Sequence, residues 1–226
     1  MTLSAKDLAN RADLTLYAPD ATRADIEKLC AEARERSFHA VCVNGSRVEL
    51  ARALLEDSEV QIVSLVGFPL GAGEADAKRY ETEIAVDQGA HEIDFVINLG
   101  RLKDGDHHYV LREMRDLAEA ADERPVKAVL ETHLLTREEM ILACQLALDS
   151  GVQFVSASAA FHAPPITVAE VTFLRETLGK TFGLKAASST GDIKTIRQLI
   201  AAGATRISVP AGNYAYGTLE HIPFVT

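Results

Sequence analysis

The sequence predicts a (β/α)8 barrel, because short β-branched runs alternate with amphipathic stretches along the whole chain. These units follow one another without a linker or a low-complexity segment between them. A chain of 226 residues suffices for one such barrel near the lower end of the usual size range. We therefore expect a single domain over residues 1–226, with an open, doubly wound parallel sheet as the alternative.

The predicted strands are the short apolar runs, of which the first is the weakest. In chain order they are Leu14–Tyr17, Ala40–Val43, Val60–Val66, Glu92–Ile97, Val126–Leu130, Val152–Val155, Phe182–Leu184 and Thr205–Val209. Continuous apolar runs of this length, bounded by polar segments, are typical of buried parallel strands.

The segments between the strands have helical spacing. In the stretch 24–33 one face carries Ile26, Leu29, Cys30 and Ala33. A further helix is predicted after Thr136, which forms a capping box with Glu139. Residues Met1–Ala12 are predicted to form a capping helix that closes the bottom of the barrel.

Composition excludes several classes of partner. The net charge is −10, and no cluster of Lys and Arg residues could bind the phosphates of a nucleic acid or lipid. The composition therefore argues against binding to nucleic acid or to anionic membranes. No apolar run approaches the roughly 18 residues that a membrane-spanning helix needs. The three cysteines form no CxxC pair, so we expect reduced, buried thiols in a cytoplasmic protein.

Polar residues recur on the side of the strands that should line the barrel. Side chains alternate inward and outward along a barrel strand, and active sites lie at the C-terminal strand ends. Six strands contribute the following polar lining residues: Asp13 and Thr15, Cys42 and Asn44, Asp94 and Asn98, Glu131 and His133, Ser156 and Ser158, and Lys185. Since buried charges cost several kcal/mol unless they are paired, this set favours a functional cavity over a structural polar network.

Individual roles stay open at this point. Lys185 is interpreted as a catalytic or substrate-binding amine, or as a structural ion pair with Asp94 or Glu131. Asp94 is the candidate acid/base. His133 suits acid/base work, ligand orientation or metal binding, but a third ligand beside Glu131 and His133 is not evident. We therefore expect no metal and no cofactor, and we interpret Cys42 as a lining thiol.

Longer motifs occur over nearly the whole chain: Ala12–Leu16, Pro19–Thr22 followed by Asp25–Ile26 and Leu29–Cys30, Val41–Asn44, Val66–Gly71, Gly89–Asn98, Glu131–Thr136 and Ala202–Ile207. Together these motifs closely resemble the deoxyribose-phosphate aldolase family. The resemblance implies a strand-six lysine that forms a Schiff base, a strand-seven lysine that lowers its pKa, and a strand-four aspartate that shuttles protons. Lys185 and Asp94 keep two of these positions, but Ser156 stands at the Schiff-base position and cannot form an imine.

The turns that bind the substrate phosphate in this family also differ. After strand six, Ala159–Ala160 replaces a Thr-Gly pair. The turn after strand seven is longer and carries Asp192, which would repel a phosphate, while Pro210 after strand eight lacks an N–H donor. Tyr17 and His133 would add bulk and a polar tip to the pocket. Together these changes predict a different substrate.

The functional hypothesis is a divergent lyase with a repurposed pocket that acts on a non-phosphorylated aldehyde or ketone by aldol-type or enolate chemistry. Lys185 would serve as a charged donor rather than an imine-forming nucleophile, because no second ammonium lowers its pKa and Asp94 raises it. A non-catalytic ligand-binding or regulatory protein is the alternative, and residual deoxyribose-phosphate aldolase activity is expected to be weak or absent. The expected partner is a small carbonyl compound, and the resemblance also allows a homodimer.

Overall fold

The computed structural model describes residues 4–158, 164, 166–188 and 192–211, and it contains a closed barrel of eight parallel strands. The strands are β1 Ala12–Leu16, β2 Ala40–Asn44, β3 Gln61–Val66, β4 Glu92–Val96, β5 Val126–Val129, β6 Phe154–Ser156, β7 Gly183–Ala187 and β8 Arg206–Pro210. Each strand pairs with the next, and β8 pairs with β1. The predicted barrel is confirmed, and the open-sheet alternative is wrong.

Helices follow the strands and cover the outside of the barrel. In the described part of the chain they are α1 Ala5–Ala9, α2 Arg23–Glu35, α3 Val48–Leu55, α4 Ala75–Asp87, α5 Leu99–Lys103, α6 His107–Ala120, α7 Arg137–Ser150, α8 Val168–Leu178 and α9 Ile193–Ala201. Short 3-10 turns occupy Gly45–Arg47 and Thr132–Leu134. None of these helices combines the length and apolarity needed to cross a bilayer.

The helix start predicted at Thr136 and the buried face predicted for residues 24–33 are confirmed, and Thr22 forms a further capping box. Thr22 and Thr136 accept from the backbone N–H of Asp25 and Glu139, and both form capping boxes. On α2 the predicted face is buried, and its residues join the main core between helices and barrel. The buried face of α2 packs against the outward-facing side chains of the strands, and this contact positions the helix on the outside of the barrel.

Several element bounds differ from the prediction. The N-terminal helix is only Ala5–Ala9, because Ala12 already pairs with Ile207 in the barrel. Strand β1 thus begins two residues before the predicted Leu14 and ends before Tyr17. Strand β7 extends through Lys185 to Ala187, so this lysine lies within the strand and not after it. Strand pairing, which a single sequence does not show, sets these bounds.

A buried ion pair ties the loops at the C-terminal face together. Lys78 Nζ, on α4, donates to Glu113 Oε1 at 2.6 Å and to the backbone oxygens of Gly71 and Val96 at 2.6 and 2.8 Å. Glu113 Oε2, on α6, accepts from the backbone N–H of Asn98 at 2.9 Å. Two loops that follow β3 and β4 are thereby fixed to the helices beneath them.

We expect Lys78→Met to destabilise the protein by about 3–5 kcal/mol, because it leaves the Glu113 carboxylate buried without its cation. Both side chains of this pair are almost completely buried. The measurement is the free energy of unfolding in urea. Arg79→Met is the matched control, since the neighbouring Arg79 pairs with Glu83 on the exposed face of α4 and its loss should change stability far less. Equal effects of the two substitutions would contradict the role assigned to Lys78.

Candidate active site

Six charged side chains meet inside the barrel and form a closed ring of alternating sign. We call this set the charged ring; its members are Asp13, Glu92, Asp94, Lys127, Lys185 and Arg206. Lys127 Nζ lies 2.7 Å from Asp94 Oδ1 and 2.6 Å from Glu92 Oε2. Lys185 Nζ lies 2.7 Å from Asp94 Oδ2 and 2.5 Å from Asp13 Oδ2.

Arg206 closes the ring on the opposite side. Its Nη1 atom lies 2.9 Å from Asp13 Oδ1 and 3.2 Å from Glu92 Oε2. Glu92 also contacts His39, whose Nε2 lies 3.0 Å from Glu92 Oε1. Three carboxylates and three cations thus balance one another, which satisfies the condition for burying charges inside a protein.

The ring is buried, and attraction between opposite charges favours the ionised forms of Lys185 and Asp13. Burial opposes the charged form of Lys185, but the Asp13 and Asp94 carboxylates outweigh it and raise the pKa of the ammonium above its ordinary value. Burial likewise opposes ionisation of Asp13, whose pKa is nevertheless lowered by Lys185 and Arg206. Lys185 is therefore a protonated hydrogen-bond donor near neutral pH, a state unsuited to nucleophilic attack.

The same balance between burial and attraction sets the pKa values of Lys127 on β5 and Glu92 on β4. Burial disfavours the charged form of Lys127, yet Asp94 and Glu92 raise its pKa. Glu92 is disfavoured by burial too, but Lys127, His39 and Arg206 lower its pKa well below the ordinary range.

Strand β6 brings a hydroxyl to the ring in place of a charge. Ser156 is buried, and it pairs in register with Val129 on one side and Lys185 on the other. Its Oγ lies 3.4 Å from the backbone oxygen of Ser158. The position next to Lys185 therefore holds no amine.

Phe154 forms the floor beneath the ring. Its aromatic ring lies 5.8 Å from Lys127 Nζ and 5.8 Å from Arg206 Cζ, within the range of cation–π attraction. Room for it comes from Gly183 on β7, where a Cβ atom would lie 2.3 Å from Phe154 Cδ1. The aromatic floor limits access to the ring from the N-terminal ends of the strands.

The β2–β3 side of the interior is apolar. We call it the apolar wall; it consists of Ala40, Cys42, Val63 and Leu65, with Tyr17 and Phe68 packed against them. Burial raises the pKa of the Cys42 thiol to about 12, so the thiolate is scarce at neutral pH. Cys42 accordingly lines the interior as a neutral thiol.

A second polar group lies nearer the mouth of the barrel, around Glu131. This residue follows β5 in a left-handed conformation (φ 47°, ψ 60°), a strained backbone that is frequent at functional sites. Its Oε2 accepts from Ser158 Oγ at 2.7 Å and lies 3.6 Å from His133 Nδ1. The prediction that Glu131 and His133 belong to strand five is wrong, because β5 ends at Val129 and His133 lies in a partly exposed 3-10 turn.

The remaining predicted residues divide between interior and rim. Thr15 is buried, and its Oγ1 lies 2.8 Å from Ser208 Oγ. Asn44 donates to the backbone oxygen of Tyr17 at 3.2 Å. Asn98 lies beyond the end of β4, where its side-chain oxygen accepts from the Arg101 N–H and starts α5. Because Asn98 lies outside β4, the inward–outward alternation of the strand, which was used to pair it with Asp94, does not extend to it.

Lys185 pairs with Asp94, as one alternative predicted, and with Asp13 in place of Glu131. Among the described residues, no three His, Cys, Asp or Glu side chains are grouped so that they could hold a metal ion. The three cysteines are buried and free.

Only parts of the altered phosphate turns belong to the described residues. Ala159–Ala160 and residues 189–191 lie outside them. Asp192 caps α9, accepting from the Thr195 N–H at 2.9 Å, so a carboxylate lies at this helix N-terminus. Pro210 ends β8 and contributes no N–H there.

Sequence reasoning missed three of the ring residues: Glu92, Lys127 and Arg206. A signal was present, since Glu92 shares parity with Asp94, and Lys127 with Glu131. Active sites of such barrels lie at the C-terminal strand ends, whereas these three residues lie at or near the strand starts.

Comparison with known proteins agrees with this geometry. A sequence profile of the DeoC/LacD family aldolases matches residues 7–163. The deoxyribose-phosphate aldolase of Clostridium perfringens (strain SM101 / Type A) is 44% identical over 207 residues, which cover 91% of this chain and 92% of that protein. The deoxyribose-phosphate aldolase of Bdellovibrio bacteriovorus is 42% identical over 205 residues, 91% of this chain and 93% of that protein.

Solved structures give the same result. QR15, an aldolase, superposes with a TM-score of 0.86 at 30% identity and covers 89% of this chain and 90% of its own. The tetrameric deoxyribose phosphate aldolase from Aeropyrum pernix has a TM-score of 0.85 at 26% identity, covering 91% of this chain and 88% of its own. With a matching barrel, a matching profile and relatives above 40% identity, the chain belongs to the DeoC/LacD family of aldolases, as its motifs predicted.

Proposed function

We propose that the protein is a lyase that makes or breaks a C–C bond next to a non-phosphorylated aldehyde or ketone, using Lys185 as a charged donor and Asp94 as the acid/base. The observation that carries this proposal is the position of the Lys185 ammonium between Asp13 and Asp94, beside a serine at position 156. An ammonium held in this way stabilises an enolate without forming an imine.

Lys185 and Asp94 have enough hydrogen-bond donors and acceptors to bind a substrate as well as their ring partners. A lysine ammonium has three N–H donors; one of those of Lys185 is donated to Asp94 Oδ2, and the ammonium also forms an ion pair with Asp13 Oδ2. A further N–H is assigned to the substrate carbonyl oxygen. The Asp94 carboxylate has about four acceptor positions, of which the two ammoniums occupy two.

For bond cleavage, Asp94 takes the proton of the β-hydroxyl group as the C–C bond breaks. The electron pair of that bond moves to the carbonyl oxygen, where the Lys185 ammonium stabilises the enolate. The former hydroxyl carbon leaves as a carbonyl compound, and the enolate carbon takes up the proton that Asp94 had accepted. Bond formation is the reverse sequence.

Two described residues support a substrate without a phosphate. The Asp192 carboxylate occupies the N-terminus of α9, where it would repel a second anion. Pro210 removes a backbone donor at the end of β8. We assign the other lining and rim residues to substrate binding: Asp13, Thr15, Tyr17, Cys42, Asn44, Asn98, Glu131, His133, Ser156 and Ser158.

A second candidate is ordinary deoxyribose-phosphate aldolase activity, because relatives that are 44% and 42% identical carry that name. The convergence of six charged side chains in the barrel interior also favours a catalytic site over a purely binding protein, because active sites concentrate charged groups with shifted pKa values. A homodimer in the cytoplasm stays a prediction, although one structural relative is tetrameric.

We expect the protein to exchange the α-hydrogens of propanal with deuterium from solvent, because enolate formation is a half-reaction of the proposed chemistry. The rate of this hydrogen exchange, measured by NMR, should fall by about 10²-fold or more in Asp94→Asn, because this substitution keeps the shape of the side chain but removes the base. Asp149→Asn, on the exposed face of α7, is the control and should exchange at the wild-type rate.

The candidates are separated by comparing cleavage of deoxyribose and deoxyribose 5-phosphate, which share their reacting atoms. The proposal expects the phosphate to improve kcat/KM by less than about tenfold. A preference of several orders of magnitude for the phosphate would establish the second candidate instead. Propanal binding without any exchange would support a non-catalytic protein.

A further inference from the structure

A histidine outside the ring contacts one of its members. His39 Nε2 lies 3.0 Å from Glu92 Oε1. Glu92 in turn shares the Lys127 ammonium with Asp94, which is the proposed acid/base. We infer that His39 is a positioning residue for the ring: as a neutral imidazole it keeps Asp94 an effective base, and on protonation it makes Asp94 a weaker one. This inference rests on the proposed function, which gives Asp94 its role.

The contacts form a continuous path from His39 to Asp94. Glu92 uses both carboxylate oxygens, Oε1 towards the imidazole and Oε2 towards Lys127 Nζ at 2.6 Å. The same ammonium lies 2.7 Å from Asp94 Oδ1. Because one lysine bridges two carboxylates, a change of charge beside Glu92 alters how strongly Lys127 acts on Asp94.

The backbone holds His39 at the start of β2. Its N–H lies 3.0 Å from the backbone oxygens of both Ala9 and Ala12, and its own oxygen accepts from the Gln61 N–H at 2.9 Å. The next residue, Ala40, pairs in register with strands β1 and β3. Strand pairing thus sets the position of the imidazole relative to Glu92.

Solvent reaches His39 from the face of the barrel opposite to the mouth. A cavity of about 480 Å³ lies at this face, and its lining includes His39, Arg34 of α2, and Asp57 and Glu59 from the segment before β3. The His39 side chain is 28% exposed, whereas that of Glu92 is 7% exposed. A substrate that fills the mouth therefore does not block the exchange of protons between water and His39.

The ionised Glu92 fixes which nitrogen of His39 takes up a proton. A carboxylate accepts hydrogen bonds, so the neutral imidazole donates its Nε2–H to Glu92 and leaves Nδ1 as the basic atom. Histidine is the side chain that ordinarily changes its charge between about pH 5 and 8. The path to Asp94 therefore begins at a group that titrates under mild conditions.

Protonation of His39 changes the charge balance of the ring in one direction. With a neutral imidazole the ring carries three charges of each sign. An imidazolium adds a positive charge beside Glu92, which already faces Lys127 and Arg206. Glu92 then offsets less of the Lys127 charge, and the ammonium acts more strongly on Asp94. A carboxylate that is held more strongly by a cation takes up a proton less readily, so the base becomes weaker as the pH falls.

The test follows the hydrogen exchange of propanal from about pH 8 to about pH 5, the range in which histidine titrates. The wild-type rate should fall by about tenfold more than the rate of His39→Gln, the effect of about one pKa unit in the strength of the base. Glutamine places a neutral N–H near the Nε2 position and takes up no proton. His39→Arg, a permanent cation, should show the low rate throughout. His107→Gln, which changes an exposed histidine of α6, is the matched control and should follow the wild type.

An NMR titration separates this inference from the proposed function. In protein labelled with ¹³C at the aspartate carboxyl carbons, the Asp94 resonance should shift as the His39 imidazole titrates, and His39→Gln should abolish this step. The step without any exchange of propanal would overturn the proposed function and leave the role of His39 intact. Exchange that falls equally in the wild type and in His39→Gln would overturn the role of His39. So would a wild-type Asp94 resonance that does not respond to His39, whether or not the variants fold.

Discussion

The variant Ser156→Lys is expected to form a Schiff base with acetaldehyde that borohydride traps at position 156, whereas the wild-type protein is not trapped. The introduced amine would lie in register with Lys185, next to a ring whose three negative and three positive charges already cancel. A further ammonium there has no carboxylate left to neutralise it. Burial and the neighbouring cation both favour its neutral, nucleophilic form.

The size of this effect follows from the fraction of neutral amine. A lysine with an ordinary pKa of about 10.4 is neutral in roughly one molecule of 2,500 at pH 7. Each unit by which the pKa falls raises that fraction about tenfold, so a shift of about 3 units gives roughly a thousandfold gain. Lys185 does not show this behaviour, because Asp13 and Asp94 raise its pKa.

Peptide mapping by mass spectrometry measures the adduct, with exposed Lys28 as an internal reference for unselective labelling. Ser156→Met fills the same space without an amine and should show no adduct at this position. If position 156 of a folded Ser156→Lys protein is labelled no faster than Lys28 of the same protein, the ring does not lower the pKa of an added amine. Trapping of the wild-type protein on Lys185 would contradict the protonated state assigned to that residue.

The variant Lys185→Met is expected to lose both stability and activity. Removing this cation leaves the Asp13 and Asp94 carboxylates facing each other with reduced compensation in a buried site. Breaking a buried ion pair from one side costs about 3–5 kcal/mol, which would appear as a lower urea midpoint at an unchanged slope. Hydrogen exchange of propanal should fall at the same time, because the enolate loses its donor.

A double-mutant cycle separates these two effects. The combination Lys185→Met with Asp94→Asn removes one charge of each sign and should recover part of the lost stability but none of the activity. Lys194→Met, on the exposed side of α9, should behave like the wild type in both measurements. Additive losses of stability in the double variant would show that the ring does not act as a unit.

The barrel was predictable because its signal repeats. Alternating apolar runs and helical stripes occur in every unit, so an error of two residues in one strand leaves the architecture unchanged. Strand bounds were less predictable, as β1 and β7 illustrate, because pairing with neighbouring strands sets them. The capping box at Thr136 was predicted correctly since it depends on two residues that are three apart in the sequence.

The ring was only half predictable. Asp13, Asp94 and Lys185 were identified from parity and from the resemblance, but their partners were not. Arg206 and Asp13 are 193 positions apart in the chain, and parity along one strand does not show which charges on distant strands pair with each other. Closure of the barrel is what brings such residues together.

The separation of charged ring and apolar wall has a stereochemical consequence. In the proposed reaction, a planar carbonyl compound bound through its oxygen to Lys185 has the charged ring at one edge and the apolar wall at the other, so its two orientations are not equivalent. The two faces of its trigonal carbon then meet different strands, and a reaction partner entering from the mouth approaches only one of them. Any new carbon–carbon bond formed in this barrel would therefore have a single handedness.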